Sequence, residues 1–324
     1  MSLNSSNADY LVERRKLRRQ ARFWRLVAFA IAALIVVGLG ARFAGLNNSA
    51  ARPHIARLAI AGLITGDAQT LKLIRDIAKS PASAALLTID SPGGTTAGSE
   101  EVYDELRLLA AKKPVVAVVG NMAASGAYIA ALGADRIFAR GNSIVGSIGV
   151  LVEFPNVSGL LDKLGVKLEA IKSSPLKASP NGLEPTSEAA RAAIAALVED
   201  SYGWFKGLVR DRRHLTDDEL VAVADGRIFT GRQGLPLKLI DALGGEREAI
   251  AWLEKEKGVA HDLPVRDWKP ENKFSGFDLF GAAAALAGLA GLDNVAGALR
   301  HGGLSGDSAS PQGLVSVWRM PDGE

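Results

Sequence analysis

Ser125 sits among small residues in Asn121-Met122-Ala123-Ala124-Ser125-Gly126-Ala127-Tyr128, and two lysines follow it in Ile171-Lys172-Ser173-Ser174-Pro175-Leu176-Lys177. Together these residue types can carry out acyl transfer. A serine hydroxyl attacks a carbonyl once a neighbouring base takes its proton. The chain's histidines, His54, His214, His261 and His301, fall in a linker, at a helix end or in the tail, and read as surface residues rather than as that base. Lysine is left, and an amine serves as a base only where burial pulls its pKa down from about 10.4 towards neutrality. Lys177 follows Leu176 and lies between Pro175 and Pro180, which suits such a role, but the residues alone do not separate it from Lys172. Asp90-Ser91-Pro92-Gly93-Gly94 adds a third part. Paired glycines let the backbone approach a substrate closely, so the Gly93 and Gly94 amides are candidate oxyanion donors. Gly126, at the head of a helix expected over Ala127–Leu132, is another.

The elements that would position these groups are legible as short apolar runs. Ala84–Ile89 and Val115–Val119 lack polar alternation, as strands buried on both faces do. Each is followed by one of the two small-residue motifs. In an open α/β sheet, ligands bind beyond the carboxyl ends of such strands. Taken singly, Ser-Pro-Gly-Gly is as well explained by an ordinary turn, and Ala-Ser-Gly-Ala by tight helix packing. Their occurrence at successive strand ends favours chemistry. Further strands are predicted at Arg57–Ile64, Ile137–Ala139, Ile144–Val152 and Val166–Ile171. Helices are predicted at Gln69–Lys79, at Ser99–Lys112 with Val102, Leu106 and Leu109 on one face, and at Ser187–Arg213 with Thr186 or Ser187 as its cap. Strand–helix alternation of this kind predicts an α/β domain with a largely parallel sheet.

The composition excludes several classes. None of the 324 residues is cysteine, so there is no disulfide, thiolate metal site or cysteine nucleophile. The formal net charge is +3, but seven basic residues stand against two acidic ones up to Arg25, and the remainder is slightly acidic. A near-neutral body argues against nucleic acid as a partner. The basic residues instead flank Leu26–Ala41, sixteen residues without a charge. With Phe23, Trp24, Phe43 and Leu46, this run approaches the roughly 20 apolar residues that span a bilayer. The expected order is a cytoplasmic basic segment (1–22), a transmembrane anchor (23–46), a linker (47–54), a main domain (55–259) and an extension (260–324), with everything after the anchor outside the cytoplasm. A cleaved secretory signal would share the basic start and apolar middle. Within the extension, Leu279–Leu292 reads as an interfacial or partner-packing helix and Gly302–Pro311 as a Gly/Ser linker.

The order Ser-Pro-Gly-Gly, Met-Ala-Ala-Ser-Gly-Ala-Tyr, Val145-Gly146-Ser147-Ile148-Gly149 and then Lys177 resembles the bacterial signal peptide peptidase family of S49 serine peptidases. Ala224-Asp225-Gly226-Arg227 with Gly231-Arg232-Gln233 adds to the likeness, which runs from about Ile55 to Gly258. The resemblance implies a ClpP/crotonase-like fold, a ββα superhelix behind one N-terminal transmembrane helix. It also implies a membrane-anchored endopeptidase of the bacterial inner membrane, facing the periplasm, that degrades released signal peptides or other membrane-associated peptides. By the same likeness Ser125 is the nucleophile, Lys177 the general base and Ser147 the hydroxyl that orients the lysine. Gly93 or Gly94 together with Gly126 forms the oxyanion hole, and no metal or cofactor takes part. Family members form ring-like homo-oligomers in which Ser and Lys can come from neighbouring subunits.

Ala127 replaces the second glycine that usually follows the family's serine, and its methyl is expected to narrow the pocket. Ala123, Ala124 and Ala127 are expected to line the site and to favour small or medium apolar residues before the cut. A catalytically inactive scaffold of the same fold and a crotonase-type acyl-CoA enzyme are the competing classes. Finally, a protease that binds extended peptides offers an unpaired sheet edge. The β-prone run Leu314–Met320 is expected to dock there as an added strand, against the plainer reading that it is disordered or that Trp318 packs locally.

Overall fold

Residues Ile55, Ala84, Leu86, Val116 and Val118 are buried on one face of a sheet, and Ala56, Leu58, Ala85, Leu87, Ala117 and Val119 on the other. This alternation is what a strand covered on both sides requires. The computed structural model describes residues 52–269, a short strand at 315–317 and scattered positions between 20 and 30. The fold belongs to the unit Pro53–Glu324. Most of the expected anchor and linker, the Leu279–Leu292 helix and the Gly302–Pro311 stretch lie outside the described residues. Among those described, no helix is long and apolar enough to cross a membrane.

The chain runs β1 (His54–Ile64), α1 (Ala68–Lys79), β2 (Ala82–Thr95), α2 (Thr96–Ala110), β3 (Val115–Ala124), α3 (Gly126–Leu132), β4 (Arg136–Ala139) and β5 (Ile144–Gly146). After a long irregular stretch holding α4 (Ser158–Lys163) come α5 (Glu188–Arg213), α6 (Asp217–Val223), β6 (Ile228–Thr230), α7 (Gly231–Gly234), β7 (Ala242–Leu243), α8 (Glu246–Lys257), β8 (Val265–Trp268) and β9 (Val315–Val317). These form a mixed sheet of order β6-β5-β3-β2-β1-β8, with β4 also on β3, β7 on β4 and β9 on β2. Helices α1, α2 and α3 cover one face; α8, through Ala249 and Leu253, covers the other. Caps start the helices where side chains can satisfy the first amides. Asp67 accepts from Gln69 and Thr70, Thr95 from Gly98, and Ser187 from Ala190.

The central strands are longer than their apolar runs. β2 shifts register against β3 between Ile89 and Ser91, and β1 shifts against β2 between Ala61 and Leu63. Beyond these breaks the strands go on pairing through residues that read as turns, with Leu63 opposite Gly93, Ile64 opposite Gly94 and Ser91 opposite Ala123. β3 changes partner at the same level, pairing with β4 through Val116–Val119 and with β5 through Met122–Ala124. Asp90–Gly94 and Asn121–Ala124 therefore lie within strands rather than in loops after them.

Two strand expectations are corrected. β5 stops at Gly146, because the positive φ of Gly146 (95°) and Ser147 (52°) turns the chain out of the sheet. Val166–Ile171 forms no strand: its β-prone residues find no strand partner among the described residues, and Val166, Leu168 and Ile171 stand exposed. His54 is also not a surface residue. It is buried at the start of β1, its ring stacks on Trp268 of β8, and its Nε2 accepts the Trp268 indole N–H at 3.2 Å.

Candidate active site

Ser125 is the single residue between β3 and α3, and its backbone is held at φ 56° and ψ −119°. A non-glycine residue at positive φ is strained and persists only where its surroundings fix it. Here the fixing bonds are identifiable. The Ser125 N–H donates to Gly146 O (2.8 Å), and its carbonyl accepts from Tyr128 (2.9 Å) and Ile129 (3.1 Å). Tyr128 anchors the helix from inside, its hydroxyl donating to Leu239 O at 2.7 Å, and burial pushes that phenol above its ordinary range. A sharp strand-to-helix turn with a serine at its apex presents a nucleophile beside free helix-start amides. The Gly126 amide is the first of these.

Ser147 is brought to the same place by the pairing of Ala124 with Gly146. Its N–H donates to Arg227 O (2.8 Å), which ties the Ala224–Arg227 motif to the serine pair. Ser125 and Ser147 line one cavity of about 350 Å³, together with Ile148, Val150, Leu151, Val198, Tyr202 and Asp225.

The two glycine candidates separate. The Gly93 N–H is taken up by Ser91 Oγ (3.1 Å), which itself donates to Gly62 O at 2.6 Å. Gly93 supplies conformation instead, at φ 116°. Gly94 must be glycine for another reason: a Cβ there would lie 1.8 Å from Ile64 O. With the Gly93 amide engaged by Ser91, Gly94 remains the candidate donor of the pair.

The lysines separate too. Lys172 Nζ pairs with the Glu184 carboxylate at 2.7 Å. Lys177 lies in an exposed turn closed by its own N–H to Ser174 O (3.1 Å) and does not line the Ser125 cavity. Within one chain, then, Ser125, Ser147 and the glycine loops belong to one structure, and Lys177 stands apart from the cavity.

The cavity wall differs from the expected one. Ala123, Ala124 and Ala127 are completely buried in the protein interior rather than lining the cavity. Every residue of α3 is buried, so Ala127 is small because the helix packs closely, and its methyl narrows nothing. The wall comes instead from residues after Ser147 and from one face of α5. Val198 and Tyr202 are four apart on that helix, a spacing that places them side by side, but nothing in the sequence told which face would meet Ser125. The titratable groups in the wall make poor bases. Asp225 is held below the usual carboxylate range by hydrogen bonds from Arg227, and Tyr202, raised by burial, donates its hydroxyl to Ala224 O. Of the histidines, His214 caps α5 and His261 pairs with Glu254; neither they nor His54 line the cavity, and His301 lies outside the described residues.

Residues 107–260 match the model of peptidase family S49. A Synechocystis sp. protein provisionally named a protease is 38% identical over 229 residues, covering 69% of this chain and 83% of the relative. A protein of Enterococcus faecium provisionally named signal peptide peptidase SppA is 32% identical, over 72% of this chain and 71% of the relative. The chloroplastic serine protease SPPA of Arabidopsis thaliana is 35% identical, but this chain covers 28% of its length. Among solved structures, a ClpP1 mutant of Listeria monocytogenes superposes with a TM-score of 0.39 at 13% identity, over 60% of this chain and 94% of that one, a score that carries no argument.

Proposed function

This chain belongs to peptidase family S49, and on that premise we propose that it is a membrane-anchored serine endopeptidase with Ser125 as nucleophile and Lys177 as general base. The observation that carries the reading is the strained apex at Ser125. Strain held by several backbone bonds, in the wall of a cavity and at the head of a helix, is typical of a residue placed for reaction. In the proposed step Lys177 takes the Ser125 proton, the Ser125 oxygen adds to the scissile carbonyl, and the Gly94 and Gly126 amides receive the developing oxyanion. The lysine then returns the proton to the leaving amine, and water releases the acyl group by the same route. Ser147 holds the lysine in line. The strands bent at Ile89–Ser91 and Ala61–Leu63 support a ClpP/crotonase-like arrangement.

The position of Lys177 outside the cavity of its own chain supports a dyad assembled between copies. The irregular stretch that carries it exposes Leu160, Leu164, Val166 and Ile171. Apolar residues clustered in this way call for a covering partner, and a second copy would cover them while delivering Lys177 to the Ser125 of its neighbour. On this reading the expected anchor would hold the assembly at the outer face of the bacterial inner membrane, and released signal peptides would be the substrate class. The same separation favours a second reading, a catalytically inactive scaffold. Labelling with a fluorophosphonate probe tests both: wild type labels and Ser125→Ala does not if the enzyme reading holds, and absence of labelling in wild type would support the scaffold.

A further inference from the structure

The parallel strands β1, β2, β3, β4 and β7 all begin at the end of the sheet opposite the Ser125 turn. Helices α1, α2, α5 and α8 carry basic last turns, with Lys79, Arg107, Arg212 and Lys257 among them. Cations at such positions complement the helix dipoles. A cavity of about 660 Å³ at this end asks for more, because Asp135, Arg212, Arg213, His214, Lys238, Asp241 and Lys257 form its polar wall. Its two carboxylates are committed to the fold. Asp241 accepts from the Ile137 amide (2.7 Å) and pairs with Arg213 (2.9 Å). Asp135 accepts from the Val115 amide (3.0 Å) and pairs with Arg107 (3.5 Å). Lys238 pairs with Glu219 at 2.6 Å. Arg212 and Lys257 form no ion pair among the described residues. Arg212 donates Nε to Leu132 O and Nη2 to Ala134 O, both at 2.9 Å, and Lys257 Nζ lies over the Trp252 ring, 5.4 Å from its centre. Burial holds the Arg212 guanidinium below the ordinary arginine range, as befits a charge that water no longer fully solvates.

We propose that this cavity binds the phosphate group of an anionic lipid headgroup. The lipid source rests on the membrane-anchor reading. Strand pairing sets Arg136, next to Asp135, level with Val116, Leu86 and Arg57 across the sheet. The cavity therefore stands about 14 Å, three strand spacings, from β1, at the end where His54 starts that strand. The expected linker over residues 47–53 spans at most about 25 Å, so a bilayer holding the anchor lies within reach. Nη1 of Arg212, engaged by no acceptor among the described residues, suits a phosphate oxygen, and Lys257 adds a point charge. Docking at this end turns the Ser125 end away from the bilayer, towards peptides already released from it.

The test uses the full chain in a neutral detergent, with dioctanoyl phosphatidylglycerol as probe and dioctanoyl phosphatidylcholine as its zwitterionic counterpart. Affinity is read from the rise in thermal midpoint with probe concentration. Phosphatidylglycerol should bind, and phosphatidylcholine about tenfold more weakly or worse. Lys257→Gln should weaken phosphatidylglycerol by about tenfold, the scale of one charged hydrogen bond, and leave fluorophosphonate labelling of Ser125 unchanged. Lys257 is chosen because it holds no backbone carbonyl, whereas an Arg212 variant would also loosen the end of α3. Lys79→Gln, which alters an exposed lysine outside the cavity, should bind as wild type does. Equal binding of the two lipids, an affinity unaltered by Lys257→Gln, or an equal loss in Lys79→Gln overturns the site. Glycerol 1-phosphate binding as tightly as phosphatidylglycerol overturns the lipid source. Because binding is read in detergent, these outcomes are independent of the anchor, which carbonate extraction of the full chain from membranes tests separately.

Discussion

The Ser125 amide donates to the Gly146 carbonyl at 2.8 Å, and this bond joins two residues of positive φ, Ser125 and Gly146, across neighbouring strands. It fixes the height of the Ser125 turn against the Gly146–Ser147 turn, so the two hydroxyl-bearing residues cannot move independently.

The strain at Ser125 predicts a trade between stability and function. Ser125→Ala keeps a Cβ at φ 56° and should melt close to wild type while losing labelling and turnover. Ser125→Gly removes the Cβ penalty, which is about 1 kcal/mol or more at such a position. It should therefore unfold at higher denaturant concentration than Ser125→Ala and be equally inactive. A Gly variant less stable than the Ala variant would contradict the strain argument.

A dyad shared between copies predicts complementation. Ser125→Ala and Lys177→Ala should each be inactive alone, because members of a catalytic unit are not additive. Co-assembled in equal amounts, they should recover about a quarter of wild-type turnover, the share of interfaces that join an intact Ser125 to an intact Lys177 in a symmetric assembly. No recovery, with mixed assembly verified by tagged pull-down, places both residues in one chain.

Ser91 predicts a stability loss centred on the glycine loop. It satisfies the Gly93 amide and the Gly62 carbonyl in a fully buried position. Ser91→Ala leaves both without that partner and should cost about 1–3 kcal/mol, measurable as a lower urea midpoint. Turnover should fall as well, because the loop carrying Gly94 loses its brace. An unchanged midpoint would show that Ser91 braces nothing.

The cavity wall predicts selectivity. If the cavity lined by Val198, Tyr202, Ile148 and Leu151 receives the residue before the cut, a medium apolar side chain is expected there. Tyr202→Ala enlarges the pocket and should shift preference from Leu towards Phe by about tenfold or more in kcat/KM, the scale of a few methylenes in an apolar pocket. A cleavage profile on a peptide library that stays unchanged would remove Tyr202 from the pocket.

Acid should destabilise the protein in a defined direction. Asp267 is held below its ordinary range by Arg57, Glu219 by Lys238 and Thr216, and Glu248 by the Gly245 amide and Arg247. A carboxylate whose folded-state pKa is depressed binds fewer protons folded than unfolded, so stability rises with pH across that window. Denaturant midpoints should be flat near neutrality and fall as pH drops through the carboxylate range. The fall should be shallower in high salt, since these groups are exposed. A midpoint that rises on acidification would reverse the sign.

What the sequence shows of this fold depends on whether side chains or backbone make the structure. Ala84–Ile89 and Val115–Val119 are legible because both faces are buried and no polar residue interrupts them. The continuation of the same strands through Pro92, Gly93 and Gly94 is not, because its pairing with β1 and β9 needs backbone alone and its composition imitates a turn. Ser125 and Ser147 are legible through their motifs. The choice of Gly94 over Gly93 required the Ser91 hydroxyl, and the engagement of Lys172 required Glu184, partners no spacing rule names. His54 was misplaced because its cover, Trp268, arrives from the other end of the domain. The expected docking of the tail is met in part: Val315–Val317 forms a strand on β2, while the rest of Leu314–Met320 lies outside the described residues.

The meeting of His54 and Trp268 has a consequence for how this domain can be handled. β1 and β8 are sequence-distant neighbours, with Ile55 opposite Val265 and Leu58 opposite Trp268. Because the two strands run parallel, the start of β8 lies beside the start of β1, and Trp268 comes level with Leu58 a few residues further along the same edge. A unit whose two ends share an edge in this way can be spliced into a loop of another protein, or its ends can be bridged and the chain reopened elsewhere, without pulling a strand from the interior. Circular permutants of residues 54–268 opened in the exposed stretch around Gly165, with a linker from Trp268 back along the edge to His54, should therefore keep the pairing of β1 through β8 while losing β9.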